Sequence, residues 1–242
     1  MDFIIIIYII FGLLPSLVWL SFYLKEDLHP EPKKMILKIF LLGALITIPV
    51  FFVQIGLSKL LDLSNLDSTT TSIIYWFLII ALSEEFFKYF VFRTKVLNSP
   101  HLDEPVDAML YMVVTALGFA AVENILYLFS PAGPMSFDQT VTRALIMTLV
   151  RFIGATFLHT LCSAVIGYFL AFSFYKAKRK YMPLIIGILI AVSLHGLYDF
   201  VLMTGNDYTK IAVPITIILT LAVIVFSGFS KLKKMASVCR VK

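Results

Sequence analysis

Residues 72–91 read SIIYWFLIIALSEEFFKYFV, twenty positions long enough to cross a bilayer yet carrying Glu84, Glu85 and Lys88. The rest of the chain decides what kind of helix this is. Working outward, six more apolar runs of similar length lie at about 3–24, 35–58, 108–129, 153–175, 182–204 and 211–230. The 242 residues are 60% hydrophobic and 14% charged, with a mean hydropathy of +0.94, well above a soluble domain. The sequence predicts an all-α polytopic transmembrane bundle of seven spans, or eight if residues 139–151 insert separately. Residues 1–242 then form one transmembrane domain, with a functional core at about 72–204 and no room for a soluble domain of any size.

Orientation follows from the basic residues. One set of loops and ends holds 15 of the 20 Lys and Arg: Lys25, Lys33, Lys34, Lys38, Arg93, Lys95, Lys176, Lys178, Arg179, Lys180, Lys231, Lys233, Lys234, Arg240 and Lys242. The opposite set holds Lys59, Arg143 and Lys210, while Lys88 and Arg151 fall within or at the edge of helices. The positive-inside rule then places the N-terminus outside and the C-terminus in the cytosol of a multi-pass cell-membrane protein. The same rule accounts for the net charge of +5, so no nucleic-acid partner is expected; the surrounding partner is the lipid bilayer. The first run is too long, and lacks the basic start, of a cleavable signal, and is read as a retained helix. Residues 139–151 read as a short interfacial or re-entrant helix, or as the first turns of one long tilted helix.

The two cysteines, Cys162 in the fifth span and Cys239 in the tail, are not expected to pair. Cys239 stands four from the end, but the Arg and Lys that follow it do not make a prenylation signal.

Ionisable groups inside a bilayer cost several kcal/mol unless paired or hydrated, so those within the spans ask for a reason. Helical spacing orders them. Glu84 and Lys88 share a face, as do Phe119, Glu123 and Tyr127, and as do His195 and Asp199; Arg151, His159 and Ser163 align on a fourth helix. Four polar stripes on four helices are buried together most economically around one wet cavity, which in the expected topology opens outward. Each pair also has a purely structural reading. Glu84 with Lys88 would be an ion pair tying helices, Glu123 with Asn124 interhelical glue, and His195 with Asp199 a locked contact. His159 would be a satisfied core histidine, and Arg151 a snorkelling or charge-balancing side chain. Those readings would have to hold independently on four helices.

The combination of acids and histidines is the equipment for activating water. Low dielectric and a like-charged neighbour are what let a carboxylate serve as general base near neutral pH. Histidine polarises a carbonyl or binds metal, with His159, His195, Glu123 and Asp199 as candidate ligands and zinc as the metal this chemistry suits, although no His-Glu-x-x-His is present. Ser163 is the one candidate nucleophile and lacks a nucleophile elbow. Hydrolysis by an activated water is therefore preferred to an acyl-enzyme.

Glu84-Glu85-x-x-Lys88, Phe119-x-x-x-Glu123-x-x-x-Tyr127 and His195-x-x-x-Asp199, in successive spans with His159 between, resemble the PrsW family of intramembrane proteases. The resemblance covers about residues 83–199. It implies an intramembrane endopeptidase, metallo- or glutamic-type, that cuts a single-pass membrane protein near its extracytoplasmic face, in bacterial members an anti-sigma factor at the first step of a stress response. It also implies Glu84, Glu85, Glu123 and His195 as catalytic residues, with Lys88, His159 and Asp199 in support. The related CAAX-type prenyl-protein proteases carry Glu-Glu-x-x-x-Arg and a His at the position of Glu123; Tyr89 and Glu123 depart from both. A CAAX-type protease, a non-catalytic scaffold subunit and an ion carrier remain the alternatives, the last disfavoured by the lack of repeats or broken helices.

Overall fold

The computed structural model describes residues 2–27, 29–131, 133–175 and 181–235. The basic residues at 176–180, Cys239, Arg240 and Lys242 lie outside the described residues.

Every element among the described residues is helical. α1 (Asp2–Tyr23) ends in a single 3-10 turn, and α2 (Lys33–Asp62) follows. α3 (Ser68–Ile73), a π-helical stretch (Ile74–Ala81) and α4 (Leu82–Lys95) make one rod; α5 (Pro105–Leu128), α6 (Phe137–Ile153), α7 (Ala155–Tyr175), α8 (Tyr181–Thr204) and α9 (Thr209–Leu232) complete the chain. These helices form seven units long and apolar enough to cross a membrane: 3–26, 33–62, 68–95, 105–128, 137–173, 181–204 and 209–232. The chain is thus the expected helical, multi-pass membrane protein.

Segment 139–151 makes no eighth span. It belongs to α6, which runs into α7 and bends at Gly154, where φ is −86° and ψ is −101°. The backbone ladder continues through the bend, from Gly154 N to the Val150 carbonyl at 2.8 Å and from Leu158 N to the Gly154 carbonyl at 2.9 Å. The Trp19 indole donates to the Phe152 carbonyl at 2.9 Å, which matters where lipid supplies no donors.

α5 is the axis of the bundle. Its span is 78% buried, against 22% for α1 and 28% for α9, so most of its faces meet other helices rather than lipid. Lipid gives helices no hydrophobic reason to associate, so contact depends on close packing of small residues. Gly43 and Gly118 supply it between α2 and α5: a methyl on Gly43 would overlap the Thr115 carbonyl oxygen, and one on Gly118 the Phe40 carbonyl oxygen. Large apolar side chains such as Phe52 and Val223 point outward from α2 and α9, as a lipid-facing surface requires.

The rod from Ser68 to Lys95 departs from the plain helix that its hydropathy predicts. Through Ile74–Ala81 the turns are widened to the π form, and the Ser83 hydroxyl donates back to the Ile79 and Ile80 carbonyls at 2.5 and 3.0 Å. Such widened turns are frequent at functional sites. Glu84 and Glu85 follow directly in the first turn of α4.

Candidate active site

The four polar stripes do converge. α4 brings Glu84, Glu85 and Lys88, α5 brings Phe119, Glu123 and Tyr127, α6 and α7 bring Arg151 and His159, and α8 brings His195 and Asp199. Glu84, Glu123, Arg151, His159, His195 and Asp199 line one cavity of about 460 Å³. Its rim residues Tyr127, Ser130, Leu202 and Met203 lie at the ends of α5 and α8 remote from Lys231, Lys233 and Lys234. The cavity therefore opens toward the end of the bundle opposite its lysine-rich end.

The adjacent glutamates have different surroundings. Glu85 is fully buried and saturated: Oε1 accepts from Lys88 Nζ at 2.8 Å and lies 3.1 Å from His195 Nδ1, while Oε2 accepts from the Ser163 hydroxyl at 3.1 Å. Glu84 Oε1 accepts from Gln54 Nε2 at 3.2 Å. Its Oε2 is buried with no hydrogen-bond partner, although it has Lys88 Nζ at 3.6 Å, His159 Nδ1 at 3.8 Å and His195 Nε2 at 3.9 Å. A buried unpartnered carboxylate oxygen calls for a donor or cation. Glu84 is thus the carboxylate with spare capacity toward the cavity, and Glu85 is the strut behind it.

Lys88 joins these groups. It is fully buried, donates to Glu85, approaches His159 Nδ1 to 2.8 Å, and stands 4.5 Å from the centre of the Phe119 ring. That contact is the physical content of Phe119 one turn before Glu123. An ammonium has no lone pair, so His159 Nδ1 accepts and its Nε2 carries the proton, donated to Glu123 Oε2 at 2.7 Å. His195 stands between two acids, with Nδ1 at 3.1 Å from Glu85 and Nε2 at 3.2 Å from Asp199. The two imidazoles meet edge to face, 4.9 Å between centres.

Of the two roles expected for Arg151, it takes the charge-balancing one and does not snorkel. It is buried, donates from Nη2 to Glu123 Oε2 at 2.8 Å and from Nε to Asn124 Oδ1 at 2.6 Å, and stacks 4.0 Å over the Tyr127 ring. Asn124 is the glue its sequence suggested, donating to the Gly12 carbonyl and to Thr156; Glu123 beside it turns to the cavity. Gln54 is missing from the sequence reading, because a single Gln in an apolar run carries no spacing signal. Ser163 acts as a donor to Glu85.

Three donors lie within 4.8 Å of one another, Glu84, His159 and His195. One carboxylate and two imidazoles suit zinc, and the orphaned Glu84 oxygen is the observation that favours a cation there. Of the four ligands considered from sequence, His159 and His195 belong to this group, whereas Glu123 pairs with Arg151 and His159, and Asp199 with His195.

The chain matches the family described as PrsW family intramembrane metalloprotease over residues 31–228. It is 32% identical to the Protease PrsW of Oceanobacillus iheyensis across 86% of this chain and 88% of that protein. Against the Protease PrsW of Bacillus subtilis it is 31% identical across 94% of each, and against that of Clostridioides difficile 27% identical across 86% and 84%. No solved structure matches the chain. Seven apolar spanning helices, a buried acid–histidine cavity and these relatives agree: the chain belongs to the PrsW family of intramembrane metalloproteases.

Proposed function

We propose that residues 1–242 form one transmembrane protease domain, with its catalytic core at about 72–204, that cuts a membrane-anchored protein near its extracytoplasmic face by an activated water. The observation that carries this reading is the unpartnered Glu84 Oε2, facing the cavity between His159 and His195. With the N-terminus outside, as the basic residues favour, the cavity opens to the extracytoplasmic side. The substrate class proposed is a single-pass membrane protein, an anti-sigma factor in a stress response being the candidate that the family resemblance suggests.

In this mechanism Glu84 takes a proton from the water that attacks the scissile carbonyl, and delivers it to the leaving amine as the peptide bond breaks. His195 keeps Nδ1 on Glu85, and its Nε2–H, which Asp199 accepts in the free site, turns to the carbonyl oxygen as charge develops on it. Lys88 and Glu85 fix the imidazoles from behind, and Glu123, clamped by Arg151, holds His159. Were zinc bound, Glu84, His159 and His195 would be its ligands, and the ion, in place of the His195 N–H, would polarise the carbonyl and lower the pKa of the water. Lys88 occupies the accepting nitrogen of His159, so it competes with such an ion for that ligand.

The test uses the purified chain in lipid with tagged single-pass membrane proteins as substrates. Wild type cleaves, and Glu84→Gln and His195→Ala lose cleavage while staying folded. Undiminished cleavage by both variants would overturn the site. Cleavage confined to prenylated C-terminal peptides would transfer the chain to the CAAX-type reading. A reporter fused after Lys180 that proves extracytoplasmic would reverse the orientation.

A further inference from the structure

Away from the active site, α7, α8 and α9 leave a slot of about 380 Å³ at the lysine-rich end of the bundle. Its walls are the rings of Tyr168, Phe169 and Phe172, with Pro183 and Ile186 opposite, and its one charged wall residue is Lys231. A second recess of about 550 Å³ begins at the same Lys231 and runs over Ser227, Ser230 and Lys234. An apolar slot thus adjoins a shelf of hydroxyls and ammonium groups, and no acid lines either.

The lysines of this end are not equivalent. Lys233 is neutralised within the protein, at 2.6 Å from Glu26. Lys231 and Lys234 have no acidic partner among the described residues. Lys231 leans over the mouth of the slot, 5.3 Å from the centre of the Phe172 ring and 5.9 Å from that of Tyr168. Two unneutralised cations therefore border these recesses around the last turn of α9, the end of a spanning helix, where headgroups are met. A bilayer offers a molecule with the matching halves, an acyl chain joined to a phosphate.

We propose that this composite recess is a binding site for an anionic phospholipid. One acyl chain lies in the aromatic slot between α7 and α8, and the phosphate is held by Lys231 and Lys234 on the shelf beside α9. The site is separate from the proteolytic cavity and does not depend on the proposed chemistry there.

The test measures lipid retention by native mass spectrometry, and the accompanying shift in melting temperature, on the full chain in neutral detergent. Phosphatidylglycerol and phosphatidylcholine with the same acyl chains are compared, with inorganic phosphate and glycerophosphate as soluble competitors. Phosphatidylglycerol is expected to bind about tenfold better than phosphatidylcholine. Lys231→Gln with Lys234→Gln removes that preference, whereas Lys33→Gln with Lys34→Gln, exposed lysines at the same end, leaves it. Ile186→Trp, which fills the slot without touching charge, weakens both lipids while the lipid-free melting temperature stays put. An unchanged preference in the Lys231/Lys234 variant, or an equal loss in the Lys33/Lys34 variant, would overturn the proposal. Displacement of the lipid by glycerophosphate at equal concentration would leave a bare anion site and also overturn it. Dimerisation abolished by Ile186→Trp would give the recess to a second copy of the chain.

Discussion

Glu84→Gln and Glu85→Gln are the same substitution at neighbouring positions, and the structure predicts opposite consequences. At Glu85 the change removes the charge that Lys88 meets at 2.8 Å in a fully buried site. With an effective dielectric of 20 the attraction at that distance is about 6 kcal/mol, and losing one partner of a buried pair costs about 3–5 kcal/mol net. For a chain of this size that is a fall in melting temperature of about 10 °C. At Glu84 the amide oxygen keeps the Gln54 bond; the attraction of Oε2 to Lys88 at 3.6 Å is lost, but Lys88 stays neutralised by Glu85 and a buried amide costs less desolvation than a buried carboxylate, so the expected net cost is smaller, about 1 kcal/mol. The catalytic effect is the reverse: removing the general base lowers turnover about a hundred- to ten-thousand-fold in a protein that still melts like wild type. Thermal unfolding in detergent, with cleavage of a tagged membrane substrate measured below both transitions, separates the two. Equal destabilisation by both variants, or wild-type turnover by Glu84→Gln, would refute the assignment of strut and base.

Arg151→Met leaves Glu123 buried without its guanidinium and should cost about 2 kcal/mol; adding Glu123→Gln should restore the melting temperature but not cleavage. If zinc is held as proposed, o-phenanthroline abolishes cleavage and zinc restores it, and metal analysis finds less zinc in Glu84→Gln and an unchanged amount in Glu123→Gln. At the other end, burial pushes Glu31 from its ordinary 4.5 up to about 7, opposed by the hydroxyl of Tyr111 and reinforced by Asp27, Asp103 and Glu104. A carboxyl raised on folding holds its proton better in the native state, so its contribution to stability is full below 4.5 and lost as pH rises to about 7. Glu31→Gln should flatten that part of the stability–pH curve, as read by thermal melts.

What could be read from sequence was periodicity. Three pairs spaced by four residues, on separate spans, placed Glu84, Glu123, His195 and Asp199 around one cavity because helical faces are fixed by residue number. Roles within the cluster depend on which helix stands opposite, and spacing is silent on that. Hence Glu84 and Glu85 looked interchangeable until Ser163 and His195 were found to saturate only Glu85. Arg151 looked peripheral because its partners, Glu123 and Asn124, lie 28 and 27 positions away. Apolar length gave seven spans but could not foresee the bend at Gly154, which settles residues 139–151 into the fifth. Nothing in IYWFLIIA distinguishes a π turn from an α turn.

That widened stretch, Ile74–Ala81, inverts the usual consequence of losing a residue. In an ordinary helix a deletion rotates everything beyond it by about 100° and turns its side chains to the wrong neighbours. A π turn is an α-helix that has absorbed an additional residue, so a deletion there lets the backbone tighten while Glu84, Glu85 and Lys88 keep their bearing. Length variation in this segment is therefore cheapest just upstream of the acids, where in a regular helix it would be most damaging.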